Sequence, residues 1–539
     1  MLRVLDECEN VSADFSADPV HDLRVSLRRC RSLADGMMAM DPDAAWKAMK
    51  KAGKHLFQRL GALRDVQIMM EWIGKLESEL RDKKIDRPAP THSGEKAELS
   101  TVAAGLTVPP VLAADNDPAA RALMEILKAR ESELKNEART ALSDFDGKQW
   151  RQWSKSLPLR AARIRPGSAV FQHLALERWT VARELHVRAM RNRSQVALHT
   201  LRIGIKRFRY IVENFLPREH EAWSNDLKHM QDLLGEVHDL DVLWATANSC
   251  HVLPDQSTRK AWHETIAAER GKRVDEYRQR TTGSGSLWST WRAGLPKGKR
   301  IQELATQRMK IWAKALDPDF AHSERVARLS IQLYDGLRNS GSMRMTDAAS
   351  SGNGYAPDLR ASLYAAALLH DVGKAKGDKG HHKESAELIE RHGTPLGWQE
   401  ADLRRAALVA RFHAGAIPTR THKALRDLLP EEQRYVIWLS AILRLANALD
   451  SAHDGSVRRV TLEGVFAPVN SKHRKNGFLR KQPTIRKNEA LVIAADGYLA
   501  NGPTAQTVAA ERYLLETVLK RPIIVKPAFN PPRRVYRTV

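Results

Sequence analysis

Cysteine is nearly absent: Cys8, Cys30 and Cys250 are the only three in 539 residues, and no CxxC occurs. That excludes a disulfide framework or a cysteine metal site and fits a reducing cytoplasm. No run approaches about 18 apolar residues, so no membrane-spanning helix is expected. The start, Met1-Leu-Arg-Val-Leu-Asp-Glu7, lacks the apolar core of a secretory signal. Acidic residues are in deficit, with 64 Asp+Glu against 87 Lys+Arg, a net charge of +23 and a pI near 9.9. An excess of this size implies polyanionic company: nucleic acid, polyphosphate or an anionic membrane surface. Aromatics are only 6% of the chain. They are scarce on the basic segments, which disfavours the repeated stacking platform of a single-strand nucleic-acid binder.

What is present begins with a repeat. His21-Asp-Leu-Arg-Val-Ser-Leu-Arg-Arg-Cys-Arg31 recurs as His199-Thr-Leu-Arg-Ile-Gly-Ile-Lys-Arg-Phe-Arg209, and eight of eleven positions keep their residue or chemical type. On a helix, His21, Arg24, Arg28 and Arg31 fall within about a quarter of the circumference, while Leu23 and Leu27 face elsewhere. A charged helix face is usually just solvated, but such faces mix signs. From His199 to Val212 there is no acidic residue. The ribbons therefore read as anion-binding. A second pair repeats in the same order: Leu60-Gly-Ala-Leu-Arg64-Asp65-Val66 and Leu234-Gly-Glu-Val-His238-Asp239-Leu240.

These residues resemble the CHAD family, the conserved-histidine α-helical domains. The resemblance covers roughly residues 1–280. It implies two pseudo-symmetric helical bundles around a basic, histidine-lined groove or pore, and inorganic polyphosphate as ligand. The candidate polyphosphate-binding residues are His21, Arg24, Arg28, Arg29, Arg31 and Arg64 from the first copy. The second copy contributes His199, Arg202, Lys206, Arg207, Arg209 and His238. Arginine and lysine would contact phosphate oxygens, with histidine adding charge as pH falls. A long helix near Ala169–Met190 precedes the second copy, but only Met1–Glu9 precedes the first. An abbreviated domain, or translation beginning upstream, is expected.

The chain is long enough for two or three domains. Residues 83–118, rich in Pro, Ala and Thr, read as a flexible loop inside the first bundle. Residues 281–300, with Thr-Thr-Gly-Ser-Gly-Ser and Gly-Leu-Pro-Lys-Gly, read as an interdomain linker. A helical domain is expected over 301–455, broken by a Gly/Ser loop at Asn339–Asp358. Residues 456–539 alternate β-branched runs with a helix at Ala505–Leu519, a small α+β appendix. The expected fold class is thus mainly α.

The chemistry-bearing signal of the back half is His370-Asp371-Val-Gly-Lys374, after the apolar helix Ala361–Leu369. An adjacent His and Asp at a helix end can both address one metal ion. His322 shares a face with Val326, Leu329 and Leu333, and His413 ends the stripe Leu403, Ala406, Ala410. One such histidine is ordinarily a core residue; three around an HD pair are a constellation. They resemble the HD phosphohydrolase superfamily. More closely, Gly380-His-His-Lys-Glu-Ser385, Ala410-Arg-Phe-His413 and Ile442-Leu-Arg-Leu-Ala-Asn-Ala-Leu-Asp450 resemble the C-terminal HD-like half of the exopolyphosphatase/guanosine pentaphosphatase family, over about 305–530.

The resemblance implies a divalent metal (Mg, Mn, Fe or Zn) at His322, His370, Asp371, Glu384, His413, Asn447 and Asp450, with Asp371 and Lys374 as catalytic residues. Three departures weaken it. Asn447 stands where the superfamily has a closing Asp, with Asp450 one turn on; Glu384 replaces a His; Ala414 replaces an Arg. The metal is therefore expected to be weakly held. The glycine-rich phosphate loops of that family's N-terminal domain are missing, so its catalytic residues do not transfer. The function expected is polyphosphate binding with a degenerate HD-like domain, cytoplasmic and associated with polyphosphate granules. The alternatives are an active metal-dependent phosphohydrolase on phosphoanhydrides or nucleotides, and a nucleic-acid binder.

Overall fold

The computed structural model describes residues 1–85, 117–343, 357–463 and 490–528. These hold 17 α-helices and one three-stranded sheet, so the protein is mainly α with a small α+β appendix. Two compact units divide the chain: Met1–Ala39 with Asp43–Lys297, and Met40–Pro42 with Gly298–Val539.

The first unit opens with α1 (Arg3–Ala13), α2 (Ala17–Met37), α3 (Ala44–Ile85) and α4 (Pro118–Ser143), each packed on the next. The order repeats as α6 (Ala169–Arg191), α7 (Gln195–Phe215), α8 (Pro217–Ser249) and α9 (Gln256–Thr281). The two sets meet where α2 packs on α7 and α3 on α8. Helical spacing explains the burial. Val20, Leu23, Leu27, Cys30, Ala34 and Met37 line one face of α2; Leu198, Leu201, Ile205, Phe208 and Val212 line one face of α7. Both apolar faces are consumed by packing, which leaves the cationic faces free. Caps mark several starts. The Ser194 hydroxyl accepts from Ala197 N (3.3 Å), and the Asp117 carboxylate accepts from Ala119 N (2.9 Å) ahead of Pro118.

The repeat extends further than the basic motifs. Each set is followed by a short helix carrying a Trp-x-x-Trp pair: α5 (Gly147–Ala161) with Trp150 and Trp153, and α10 (Leu287–Ala293) with Trp288 and Trp291. The indoles of each pair meet edge to face, at 6.3 and 5.2 Å. This revises the linker expected at 281–300. Its middle is a helix whose two tryptophans are buried against the first unit, on α6 and α9, and the break between units falls at Lys297/Gly298. Of the expected loop 83–118, residues 86–116 lie outside the described residues, while 83–85 continue α3 and Pro118 begins α4. The opening helix α1 has 11 residues, whereas its counterpart α6 has 23.

The second unit holds α11 (Lys299–Leu316), α12 (Phe320–Asn339), α13 (Leu359–Leu369), a 3₁₀ turn (Val372–Lys376), α14 (His381–His392), α15 (Glu400–Arg411) and α16 (Pro430–Leu449). Between α12 and α13, residues 344–356 of the expected loop lie outside the described residues. The appendix follows: β1 (Arg459–Glu463) runs antiparallel to β2 (Leu491–Asp496), which pairs in parallel with β3 (Ile523–Pro527). The β2–β3 crossover is α17 (Ala505–Leu519), packed on α16.

Candidate functional site

In the first unit α2 and α7 run side by side in the same direction. Arg28 lies over the Tyr210 ring (5.7 Å), Arg29 Nε reaches Glu213 (3.1 Å), and Asn214 Nδ2 donates to the Ser32 hydroxyl (3.1 Å). Their cationic faces, with α3 and α8, line a cleft of about 450 Å³. It gathers His21, Arg24, Arg28, Arg29 and Arg64 of the first repeat with Arg202, Lys206, Arg209 and Lys228 of the second.

These cations divide by partner. Arg24 is a strut, donating to the carbonyls of Leu60 (3.1 Å) and Gly61 (2.8 Å), with Asp65 at 3.9 Å. Arg29 and Arg209 share Glu213, and Arg64 pairs with Glu71 (2.8 Å). Arg28, Arg202, Lys206 and Lys228 form no ion pair among the described residues. The cleft therefore opposes its own charge. Burial, then Arg202 and Arg28, push the Lys206 ammonium down to about 7. Burial and the neighbouring Arg64 and Arg28 likewise lower His21. Asp239 is raised to about 6, chiefly by burial. Several buried polar atoms on the lining lack a hydrogen-bond partner among the described residues: Nε of Arg64, Arg202 and Arg209, the Tyr210 hydroxyl and Gln231 Oε1.

Four of the expected residues are not on this lining. Arg31 donates to the Lys50 carbonyl (3.1 Å), because it lies one turn beyond the cleft, over Phe57. Arg207 is exposed, rotated off the face shared by Arg202, Lys206 and Arg209. His199 is set against His238, with Nδ1 atoms 3.3 Å apart, at the positions equivalent to His21 and Arg64. Burial lowers His199, and pushes His238 down to about 4 with help from Arg202. Lys228 was missed. It stands eleven residues, about three turns, before Asp239 on the same face of α8, and that periodicity was the available signal.

In the second unit the histidines converge on Asp371. The α13 helix ends at His370, so His370 and Asp371 point into one space closed by α12, α14 and the end of α15. His370 Nδ1 donates to Ala367 O (2.7 Å), His413 Nδ1 to Ala410 O (2.7 Å) and His381 Nδ1 to Asp378 O (2.8 Å). These bonds fix each ring so that the bare Nε2 faces inward, the orientation of a metal-ligating imidazole. The Nε2 atoms of His370, His381 and His413 lie 3.4, 3.3 and 3.6 Å from Asp371 oxygens. His370 Nε2 is buried without a hydrogen-bond partner. Two sets of donor atoms could hold an ion: His322, His370 and Asp371; and Asp371, His381 and His413. Burial lowers His370 and takes His413 well below its usual range, which favours the neutral imidazole that ligation requires. Burial alone would raise Asp371, but His370, His413 and Lys374 (Nζ at 2.6 Å) hold it below the usual carboxylate range.

The remaining expected ligands divide. Asn447 Oδ1 lies 2.9 Å from His322 Nε2, at the ligand side of that ring. Asp450 does not compensate for it. Its carboxylate sits behind His322, accepting from Nδ1 (2.7 Å) and from Arg325 Nε (2.8 Å), and so orients the ring instead of binding an ion. Glu384, one helical turn past His381, is instead paired with Lys376 and Arg391. His381, not Glu384, faces Asp371 and belongs to a donor set that could hold an ion. Its sequence signal was the His-His-Lys of the quoted motif. The donor set, three or four imidazoles and one carboxylate, fits a borderline transition ion better than magnesium.

Residues 2–248 match the family model described as the CHAD domain, and residues 304–491 match the one described as Ppx/GppA phosphatase, domain III. No curated protein matches the chain. The chain thus carries a CHAD domain followed by a Ppx/GppA domain III, a pairing that fits a polyphosphate-related function. Among the described residues no helix is long and apolar enough to cross a membrane.

Proposed function

We propose that the protein binds inorganic polyphosphate in the cleft between its two repeats, and that its second unit is a phosphohydrolase-like domain holding a divalent metal weakly. One observation carries the first part. Among the described residues, the cleft concentrates four cations without ion pairs together with buried donors that lack hydrogen-bond partners, on Arg64, Arg202, Arg209 and Tyr210. Unsatisfied buried donors are costly, and phosphate oxygens would relieve them. Burial first, and then neighbouring cations, depress Lys206 and His21, and the second of these causes supports an anionic occupant as well. A polymer carrying one charge per phosphoryl group matches this row of donors.

The test is salt dependence. Polyphosphate binding releases counterions, by analogy with single-stranded nucleic acid at about 0.7 in log–log slope per phosphate neutralised. Changing Arg28, Arg202 and Lys206 together to Ala should lower the slope by about 2 and weaken binding about a hundredfold at 0.1 M salt. If the triple variant binds like wild type, the cleft is ordinary surface.

A second reading, an active metal-dependent phosphohydrolase on phosphoanhydrides or nucleotides, is favoured by the inward-facing Nε2 atoms around Asp371. His322, His370, Asp371, His381 and His413 would hold the ion, which when bound supplies a water acidified for attack on phosphorus. Asp450 and the three backbone carbonyls would keep the rings oriented. Asn447, a neutral amide at the closing position, and Lys374, which occupies one Asp371 oxygen, support a site of low affinity and slow or absent turnover. Metal analysis with phosphatase assays on polyphosphate decides. Full occupancy with turnover of roughly 1–10³ per second would make the protein an enzyme first.

A further inference from the structure

The floor of the cleft obeys the repeat: Arg24 matches Arg202, Arg28 matches Lys206, and Asp65 matches Asp239. Its walls do not. Tyr210 lies eleven residues after His199, and Ser32 lies eleven after His21. Lys228 and Gln231 lie six and three residues before Leu234; Lys54 and Phe57 stand at the same distances before Leu60. Were the walls symmetric, Ser32, Lys54 and Phe57 would line the cleft as Tyr210, Lys228 and Gln231 do. None of them does. The Ser32 hydroxyl is engaged by Arg29 O (3.0 Å) and Asn214 Nδ2 (3.1 Å). Lys54 is exposed elsewhere. Phe57 is covered by the guanidinium groups of Arg24 (5.4 Å) and Arg31 (5.2 Å), a cation–π stack that seals the first-repeat side.

The second-repeat side is the chemical opposite. Lys228 forms no ion pair among the described residues. The Tyr210 hydroxyl is buried without a partner, beneath the Arg28 guanidinium, and Gln231 Oε1 is likewise unsatisfied. Among the described residues, a charge and a hydroxyl donor are thus collected on one wall without an ion-pair or hydrogen-bond partner, beside the Asp232 and Glu236 carboxylates.

We propose that the polyanion lies against the second-repeat wall, and that Lys228 and Tyr210 bind its phosphate oxygens in contacts that the first repeat does not reproduce. This rests on the polyphosphate reading above. Lys228 supplies an ion pair. Tyr210 donates a neutral hydrogen bond once Arg28 shifts from its ring onto a phosphate. The twofold floor would accept the chain symmetrically; the unequal walls give it one bound position.

Charge and hydrogen bond leave different signatures, so the test separates them. The full-length protein is titrated with inorganic polyphosphate of defined length over a range of salt. Lys228→Gln should lower the log–log slope by about 0.7 and weaken binding about eightfold at 50 mM salt, the difference vanishing near 1 M. Lys54→Gln, the equivalent cation of the first repeat, should change neither. Tyr210→Phe should weaken binding about tenfold with the slope unaltered, as expected for one neutral donor to a charged acceptor. If Lys228→Gln behaves like Lys54→Gln and Tyr210→Phe like wild type, while the Arg28/Arg202/Lys206 triple variant loses binding, the asymmetry is wrong and the cleft reading stands. If the triple variant also binds like wild type, the failure is of the cleft reading itself.

Discussion

If the cleft binds polyphosphate as proposed, Lys206 makes that binding proton-linked. Burial and two neighbouring arginines hold its ammonium near 7 in the free protein, against an ordinary 10.5. Arg24, Arg28 and Arg202 face it with the same sign, and Asp239 with the opposite one. A polyanion in the cleft reverses this balance and raises the ammonium toward its ordinary value, so binding takes up a proton wherever the pH lies between the two. The sign follows. Below about 7 Lys206 is charged in both states and contributes no pH dependence. Above it, affinity falls as pH rises. For full restoration to 10.5, the loss between pH 7 and pH 9 is about fiftyfold. Asp239, near 6, is driven in the same direction by a bound anion and adds to the uptake. Binding is measured at pH 7, 8 and 9 at fixed ionic strength, with calorimetry in two buffers of different ionisation enthalpy to count protons. Lys206→Arg, charged throughout, should bind with little dependence over this range. Wild-type affinity independent of pH from 7 to 9, or a fall of the same size in Lys206→Arg, would refute the linkage.

Most of the fold was legible because it is periodic. The spacing that places Leu198, Leu201, Ile205 and Phe208 on one face of α7 also leaves Arg202, Lys206 and Arg209 together on another. The expected helix Ala505–Leu519 is α17 to the residue, since β-branched runs flank it on both sides. The segment 281–300 misled, because Gly and Ser at its edges read as linker while the evidence for a helix was only two tryptophans three apart. Their meaning emerges only beside Trp150 and Trp153, which show a fifth helix in each repeat.

The site was legible in its residue types and less so in its partners. Arg24 and Arg28 are equivalent on a helical wheel. Only tertiary structure shows one spent on the Leu60 and Gly61 carbonyls and the other over the Tyr210 ring with no ion pair among the described residues. Asp450 looked like a substitute ligand because it lies one turn from Asn447. In three dimensions it approaches His322 from the Nδ1 side, with Arg325 beside it. Glu384 and His381 are three residues apart on α14 and share one helical surface, yet His381 reaches Asp371 while Glu384 pairs with Lys376 and Arg391. Sequence distance cannot say which ring nitrogen a carboxylate will meet.

The metal set makes its own prediction: His381→Ala should lower metal content of the purified protein, Glu384→Ala should leave it unchanged, and Asn447→Asp should raise it, all by elemental analysis after loading with zinc or manganese. Equal loss in the first two variants would return Glu384 to the ligand set. Packing between the repeats supplies a stability test. A Cβ at Gly36 of α2 would lie 2.2 Å from Phe215 Cε2 and 3.3 Å from Ile211 Cδ1. Phe215 has little room to retreat, since its ring is stacked on Phe171 at 4.2 Å. Overpacking of this kind costs about 1–3 kcal/mol, and the helical preference for Ala over Gly returns at most about 1. Gly36→Ala should therefore destabilise by about 1–2 kcal/mol in urea unfolding. Gly74→Ala, on α3 with nothing within 4 Å of the added Cβ, keeps the propensity gain without the clash. It should stabilise by about 0.5–1 kcal/mol. If both substitutions stabilise, α2 and α7 are not packed as closely as the Gly36–Phe215 contact requires, and the twofold floor of the cleft loses its foundation.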